Sequence, residues 1–441
     1  MNAVGNFTPM KKLLILICCL NAGMALSQGR LTLSDAINLA LKNSLDIQLA
    51  KNNVEISTIN NHPGVAGALP TVTATANDNE QIISINQKFP DPSRNTTRSN
   101  VGSNNLNVGV TGSILLSNGY RVVTTKKRLN ELVIQNRYLL DAQIQNTMAA
   151  VATRYYDVVR QQEFIKTIEQ SIDVFQKRLD ILLARKEAGL SNNADIFQAR
   201  LDLNSQVQLK QQQELVIQQG KTDLLNLLFL NPDSSINIQD TIIVERNLSL
   251  ENIRAKLKDN PQLLSANEQI KINELIEKET EALGMPTLRA NTGYNFNNTR
   301  SGAGFILQNQ SFGPFISLNL SIPIYNGTAF KRQQQVAEIN SKNAVLQKET
   351  LAQTLETGAV RTYQAYKNAL QQLEKEVENY KLSMQLVDLV LKRFELNQAT
   401  IIDVRQAQQS FEASGFRLLN LNYTAKLAEI ELKRLANQIT P

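Results

Sequence analysis

The chain says the same thing twice. Residues 185–199 read RKEAGLSNNADIFQA, and 208 residues later 393–407 read RFELNQATIIDVRQA, with Arg, Glu, Asp, Gln and Ala recurring in register. Asn118-Gly119 returns as Asn326-Gly327 at the same offset, and Leu33, Asn43 and Pro70 find counterparts in Leu250, Asn260 and Pro286 at 216 or 217. A duplication of this kind makes each half one structural unit whose apolar faces are completed by the other. The 441 residues then divide into 28–246 and 247–441 after a short leader, and no further domain is needed to explain the length.

The leader reads as a signal. Within 1–27, Lys11 and Lys12 precede the apolar run LLILICCL and the small-residue site Ala25-Leu26-Ser27, the pattern of a secretory signal peptide. Met10, directly before the lysines, is a second candidate start beside Met1. Both cysteines, Cys18 and Cys19, fall inside the leader, and Ile17 is too bulky for a lipoprotein signal, so neither a disulfide nor a lipid anchor is expected. Removing two lysines and no acid lowers the formal charge from +6 to +4, too little over this length to point to nucleic acid. His62 is the sole histidine and sits before Pro63-Gly64 in a turn context, which removes most metal, acid-base and triad chemistry, so no metal or cofactor is expected. No mature segment holds the roughly 20 apolar residues of a spanning helix, so membrane insertion would have to use strands.

Long stretches are helical. From 121 to 230 there is no proline, with Gly189 and Gly220 the only glycines, and 329–440 is also free of proline. The duplicated motif splits each block once, giving helices over 120–188 and 193–231 in the first half and 327–396 and 400–438 in the second. A further helix opens each half, from Ser34 to about Ala66 and from Leu250 to about Gly284, the latter broken at Asn260-Pro261. The longer helices would run roughly 100 Å at about 1.5 Å per residue, more than a globular core can cover. Scattered Leu, Ile and Val among many Gln, Asn and Lys give each a narrow apolar stripe and a wet remainder, which suits a hollow wall.

Between the first and second helix of each half the period changes to 2. Phe312, Ile316, Leu318, Leu320 and Ile322 alternate with Gly313, Ser317, Asn319, Ser321 and Pro323, and Leu106, Val108, Val110 and Ile114 alternate with Asn107, Gly109, Thr111 and Ser113. Weaker alternation follows Pro70 and Pro286. This places one strand pair in each half, 70–85 with 105–118 and 286–298 with 311–325, joined by polar loops over 88–105 and 297–310 that would sit in water. A soluble hairpin on a core is the ordinary source of such alternation. Here the chain is exported and offers no globular core, so Leu106, Val108, Val110, Ile114, Ile316, Leu318, Leu320 and Ile322 are read as facing lipid. Four strands cannot close a barrel, and an open edge is intolerable in lipid, so the barrel must be shared between copies. Two copies would give a plugged barrel of eight strands, and three would give twelve and a water-filled lumen.

The ordered set of elements resembles the TolC family of outer-membrane efflux proteins. The resemblance rests on LTLSDAINLALKNS from Leu31, the Leu69-Pro70 and Met285-Pro286 approaches to strands, LLSNGYR and PIYNGTA at the strand-to-helix joins, and the duplicated RKEAGLSNNADI and RFELNQATIIDV. It spans nearly all of the mature chain. It implies a homotrimer with a 12-stranded β-barrel in outer-membrane lipid, continued by an α-helical barrel across the periplasm. It also implies two protein partners, a periplasmic adaptor and an inner-membrane pump.

The resemblance further implies that the duplicated motif forms the helical tips at the periplasmic entrance. Ala188-Gly189-Leu190 resembles the family's adaptor-docking tip, whereas the second copy has Leu396-Asn397-Gln398 and no glycine. Gly189 is equally the residue expected to end a helix in a left-handed conformation. Asp195, Asp403 and Phe394 are the entrance candidates. Either aspartate, facing a threefold lumen, would form a ring of three carboxylates; both also stand where negative charge caps a helix, Asp403 three residues after Thr400. The family's remaining gate positions hold Ala399 and Gln406, which puts a closing network of the familiar kind in doubt. Arg405 is expected at a surface or subunit contact. A secreted adhesive stalk would explain long helices and leave the strands unexplained. An enzyme would have carboxylates alone to work with.

Overall fold

The computed structural model describes residues 30–302 and 306–440. The expected signal peptide lies outside the described residues. The element order is α1 (Leu33–Asn43), α2 (Leu45–Asn60), β1 (Thr71–Gln87), β2 (Thr96–Ser117), α3 (Arg121–Glu187), α4 (Asn193–Leu227), α5 (Leu250–Lys256), α6 (Pro261–Glu281), β3 (Thr287–Ser301), β4 (Gln308–Ser321), α7 (Ala329–Glu395) and α8 (Ile401–Leu435). Among the described residues no helix is long and apolar enough to cross a membrane.

The duplication is written into the backbone. Helices α3 and α7 each hold 67 residues, α4 and α8 each hold 35, and the second of each pair starts 208 positions after the first. Left-handed residues recur at the same offset: Gly119 and Tyr120 with Gly327 and Thr328, Gly189 with Asn397, and Phe229 with Asn437. Both opening helices also break at one place. Pro261 cannot donate a helical hydrogen bond and starts α6, while in the first half Ser44 ends α1 and its Oγ accepts the N–H of Ile47 at 3.4 Å. The helix expected from Ser34 to Ala66 is therefore two helices. Just before each break an asparagine ties down the far end of a helix: Asn43 Nδ2 donates to Leu228 O at 3.3 Å, and Asn260 Nδ2 to Leu435 O at 3.0 Å.

The chain folds as two compact units. The first holds residues up to Leu49, Asp141–Asn260 and Gln353 onward; the second holds Ala50–Leu140 and Pro261–Ala352. Two clusters make the core of the first unit. In one, Ala36, Ile37 and Ala40 of α1 meet Val151, Tyr155, Val158 and Val159 of α3, Leu224 of α4, and Ile238 from the irregular segment after α4. The other joins Leu182 of α3, Ile196 and Ala199 of α4, Val390, Leu391 and Phe394 of α7, and Val404, Ala407 and Phe411 of α8. Burying each large side chain contributes roughly 1.5–3 kcal/mol.

The second unit contains one antiparallel sheet in the order β1-β2-β3-β4. Register sorts its side chains onto two faces. Val110 stands opposite Ala74 and Tyr294, Val108 opposite Ala76 and Phe296, and Phe296 opposite Phe312. Ala290 opposite Leu318 and Thr292 opposite Ile316 continue the same apolar face. The next row outward, Asp78, Leu106, Asn298 and Gln310, turns polar. From Leu320 to Phe312 the apolar stretch of β4 rises roughly 27 Å at about 3.4 Å per residue. The other face carries threonine, serine and asparagine. Gly293 sits there because an added Cβ would lie 2.2 Å from Val110 O, and the Phe315 ring covers the gap beside it.

Further sequence expectations need correction in the sheet. Strand β3 runs on to Ser301 and β4 begins at Gln308, both inside the loop read over 297–310. The loop read over 88–105 shrinks to the residues between Gln87 and Thr96, because the Thr-, Ser- and Asn-rich stretch from Thr96 pairs with β1 through its backbone; ladder bonds need no apolar face once both sides are wet. Strand β4 stops at Ser321, since Pro323 has no N–H to donate, so Ile322 lies just beyond the strand.

Candidate functional site at the helical tips

Both tips of the first unit close by one device. At the end of α3 the N–H of Leu190 donates to Arg185 O at 2.8 Å and that of Gly189 to Lys186 O at 2.9 Å, with Gly189 at φ +75°. At the end of α7 the N–H of Gln398 donates to Arg393 O at 2.7 Å and that of Asn397 to Phe394 O at 3.1 Å, with Asn397 at φ +63°. This is the Schellman ending, in which a left-handed residue turns the chain back over the last carbonyls. Asparagine tolerates that conformation better than other residues with a Cβ. The second tip needs no glycine.

The two tips differ in what their side chains do. Arg185 of the first reaches the second: its Nη1 donates to Phe394 O at 3.3 Å, its Nη2 donates to Asn397 Oδ1, and its guanidinium carbon lies 4.7 Å from the Phe394 ring centroid. Arg393, at the duplicated position, stays home and donates to Gln398 O at 3.0 Å. Phe394 is 3% exposed within the lower core. It supports the tip from inside, packed among side chains of α3, α4, α7 and α8. Ala188, Gly189, Leu190, Leu396, Asn397 and Gln398 are all exposed, and among these six Leu190 and Leu396 are the large apolar side chains.

The aspartates part company too. Asp403 completes a capping box: Thr400 N–H and Oγ1 both donate to its Oδ2 at 2.8 Å, and its own N–H donates back to Thr400 Oγ1 at 3.2 Å. The backbone N–H of Thr400, then its hydroxyl, hold the Asp403 carboxyl below the usual aspartate value. At the first tip Asn192 caps α4 by accepting the N–H of Asp195 at 2.9 Å, and the half-buried Asp195 carboxylate has no partner among the described residues.

Above the tips a groove of about 720 Å³ runs between α3 and α7. Val174, Met384, Val387, Leu391 and Phe411 give it an apolar floor, and Lys166, Asp173, Lys177 and Asp388 stand along its rims.

A family model described as "Outer membrane efflux protein" matches residues 36–228 and 252–438, which covers most of both halves. The chain belongs to this family. Outer membrane protein TolC of Vibrio cholerae is 22% identical over 315 residues, 66% of this chain and 67% of that protein. An uncharacterized protein of Haemophilus influenzae is 20% identical over 283 residues, 64% of this chain and 62% of its own length. Among solved structures, the outer membrane protein VceC of Vibrio cholerae superposes with TM-score 0.75 at 16% identity, covering 92% of this chain and 96% of VceC. CusC matches at 0.75 and 16% identity over 92% and 91%, and the outer-membrane channel OprN at 0.76 and 13% over 92% and 90%. The fold is that of outer-membrane channels, and the protein's place is the outer membrane, with a periplasmic extension.

Within this efflux-family fold, a buried polar cluster close to the tips escapes the sequence reading. Arg178, with 1% of its side chain exposed, donates to Asp202 Oδ2 at 2.6 Å and to Gln408 Oε1 at 2.9 Å, and lies 4.9 Å from the Phe175 ring centroid. It joins α3 to α4 and α8. Arg405, expected at a surface or subunit contact, adds a longer approach of 3.8 Å to the same Asp202 oxygen within the chain. A signal was present: Arg178 falls on the apolar stripe of Phe175, Leu179 and Leu182, where helical spacing places core residues.

Proposed function

We propose that this efflux-family member is the passive exit duct of a tripartite system, a homotrimer whose three sheets close one barrel in the outer membrane. One observation carries the reading: a four-stranded sheet with an exposed apolar face, Ile316 at 84% and Leu318 at 71%, and with β1 and β4 unpaired at its edges among the described residues. An unpaired edge in hydrocarbon leaves its N–H and C=O groups without partners, at several kcal/mol each, so β1 of one copy pairs with β4 of the next. Leu106, Val108, Val110, Ile114, Ile316, Leu318 and Leu320 then face lipid, with Ile322 at the membrane boundary. Three copies bring twelve strands, enough to leave water inside.

No chemical step is assigned, and no cofactor, metal or nucleic acid enters the mechanism. A pump of the inner membrane supplies the driving force. Its adaptor docks on the exposed tips around Gly189 and Leu396, and its helices fit the apolar groove between α3 and α7. Opening separates tips that Arg185 ties together, and Asp195, whose carboxylate is not engaged in a cap, is the stronger of the two entrance acids. Light scattering on the detergent-purified protein, together with single-channel recording in planar bilayers, tests this. Stable openings from a complex of three chains are expected; a monomer or dimer that never conducts removes the shared barrel.

A further inference from the structure

The polar face of the sheet is almost free of charge. Through the paired body of the four strands it carries Thr71, Thr73 and Thr75, a run of asparagines from Asn77 to Asn107 and Asn291 to Asn297, and serines and further asparagines on β4. Arg289 is the exception within that body; Arg98, beyond it at the far end of β2, stands opposite Ile85 and donates to Gly302 O at 2.9 Å. Arg289 sits opposite Leu115 on one side and Asn319 on the other, two residues into β3, at the end where the strands join the helices. It is exposed and has no ion-pair partner among the described residues. The acids nearest in the sheet, Asp78 and Glu80, belong to the opposite face and share the amide of Asn104 at 2.6 and 3.2 Å.

We propose that Arg289 is a selectivity residue: in the assembled barrel three copies form a positive ring at the base of the lumen, where the neighbouring lining is uncharged, favouring anionic solutes at the passage from helical tunnel to barrel. The inference rests on the duct reading, which makes the polar face the lumen. Rings of arginine favour anions because a narrow, low-dielectric wall concentrates their field. Amide and hydroxyl groups elsewhere on the face solvate either sign and do not cancel it. The field reaches only about 10 Å at 0.1 M salt, so the effect is local and grows as salt is lowered.

Reversal potentials in a potassium chloride gradient across planar bilayers test it, on purified wild type and on Arg289→Gln, Arg289→Glu and Arg289→Lys. The chloride-to-potassium permeability ratio should fall about twofold or more in Arg289→Gln and further in Arg289→Glu, and should stay near wild type in Arg289→Lys, with larger differences at low salt. Trimeric channels that conduct in all four proteins with one common ratio overturn the ring and leave the duct standing. A wild-type protein that does not conduct removes the duct and the ring together.

Discussion

The two tips share a backbone and little else. Both end in a left-handed residue at the same duplicated position, both are followed by a capped helix, and the caps Asn192 and Thr400 stand 208 residues apart. Yet the first tip uses a glycine around which an added Cβ would meet nothing within 4 Å, and the second uses an asparagine whose amide also holds Arg185. Gly189 is therefore required by its φ and by no crowding within the chain. Duplication preserved the turn. The side chains then divided the labour, with the first copy supplying the clamp and the second the surface it grips.

That division has a direct test in the two equivalent arginines. Arg185→Ala removes a ring contact and two hydrogen bonds at a half-buried site, and should cost about 2 kcal/mol. Arg393→Ala removes one exposed bond within its own turn and should cost much less. Thermal denaturation of the detergent-solubilised complex gives the ranking. Equal losses from the two variants would mean that the tips behave as symmetric copies and that the clamp is incidental.

A finer test exchanges the turn residues. Gly189→Ala forces a Cβ into the left-handed region, at about 1 kcal/mol. Asn397→Gly keeps the turn and loses only the acceptor for Arg185, so its deficit should vanish in an Arg185→Ala background. A double-mutant cycle reads this coupling. Additive losses would show that Asn397 is held for its backbone alone.

Much of this fold is legible because its signals are long. Residues 121–230 without proline can hardly be anything but helix, and Ile316, Leu318 and Leu320 alternate too cleanly to be read as a loop. What escaped was short or polar. The break at Ser44 has no proline to announce it, although its partner at Pro261 does. The outer half of β2 reads as a loop because Thr96 to Asn105 offer no apolar face, and only the neighbouring strand shows that their backbone is paired. Phe394 is an entrance candidate by resemblance, and its spacing with Val387, Val390 and Leu391 also places it on the core stripe. The Arg185 clamp and the Arg178 cluster join helices far apart in sequence, and nothing local to either arginine names its partners.

The smallest expected difference between the tips is one of pH. Thr400→Ala removes the hydroxyl from the second cap and should cost about 1 kcal/mol at neutral pH, as Asn192→Ala should at the first. Only the second cap contains a titrating partner. Hydrogen bonds from Thr400 stabilise the ionised Asp403, so its folded-state pKa lies below the ordinary value of 3.8. The stability it contributes is fully present above that ordinary value and disappears as pH falls through the lower folded one. Asp403→Asn should therefore lower the melting temperature at pH 7 and match wild type once the wild-type Asp403 carboxyl is protonated in the folded as well as the unfolded state. The capping amide of Asn192 does not titrate, so the deficit of Asn192→Ala should persist over the same range. Melting curves of the two variants and wild type between pH 7 and about pH 3 separate the cases. If the Asp403→Asn deficit does not narrow on acidification, the carboxylate is not acting as a cap, and a role for Asp403 facing the lumen has to be reopened.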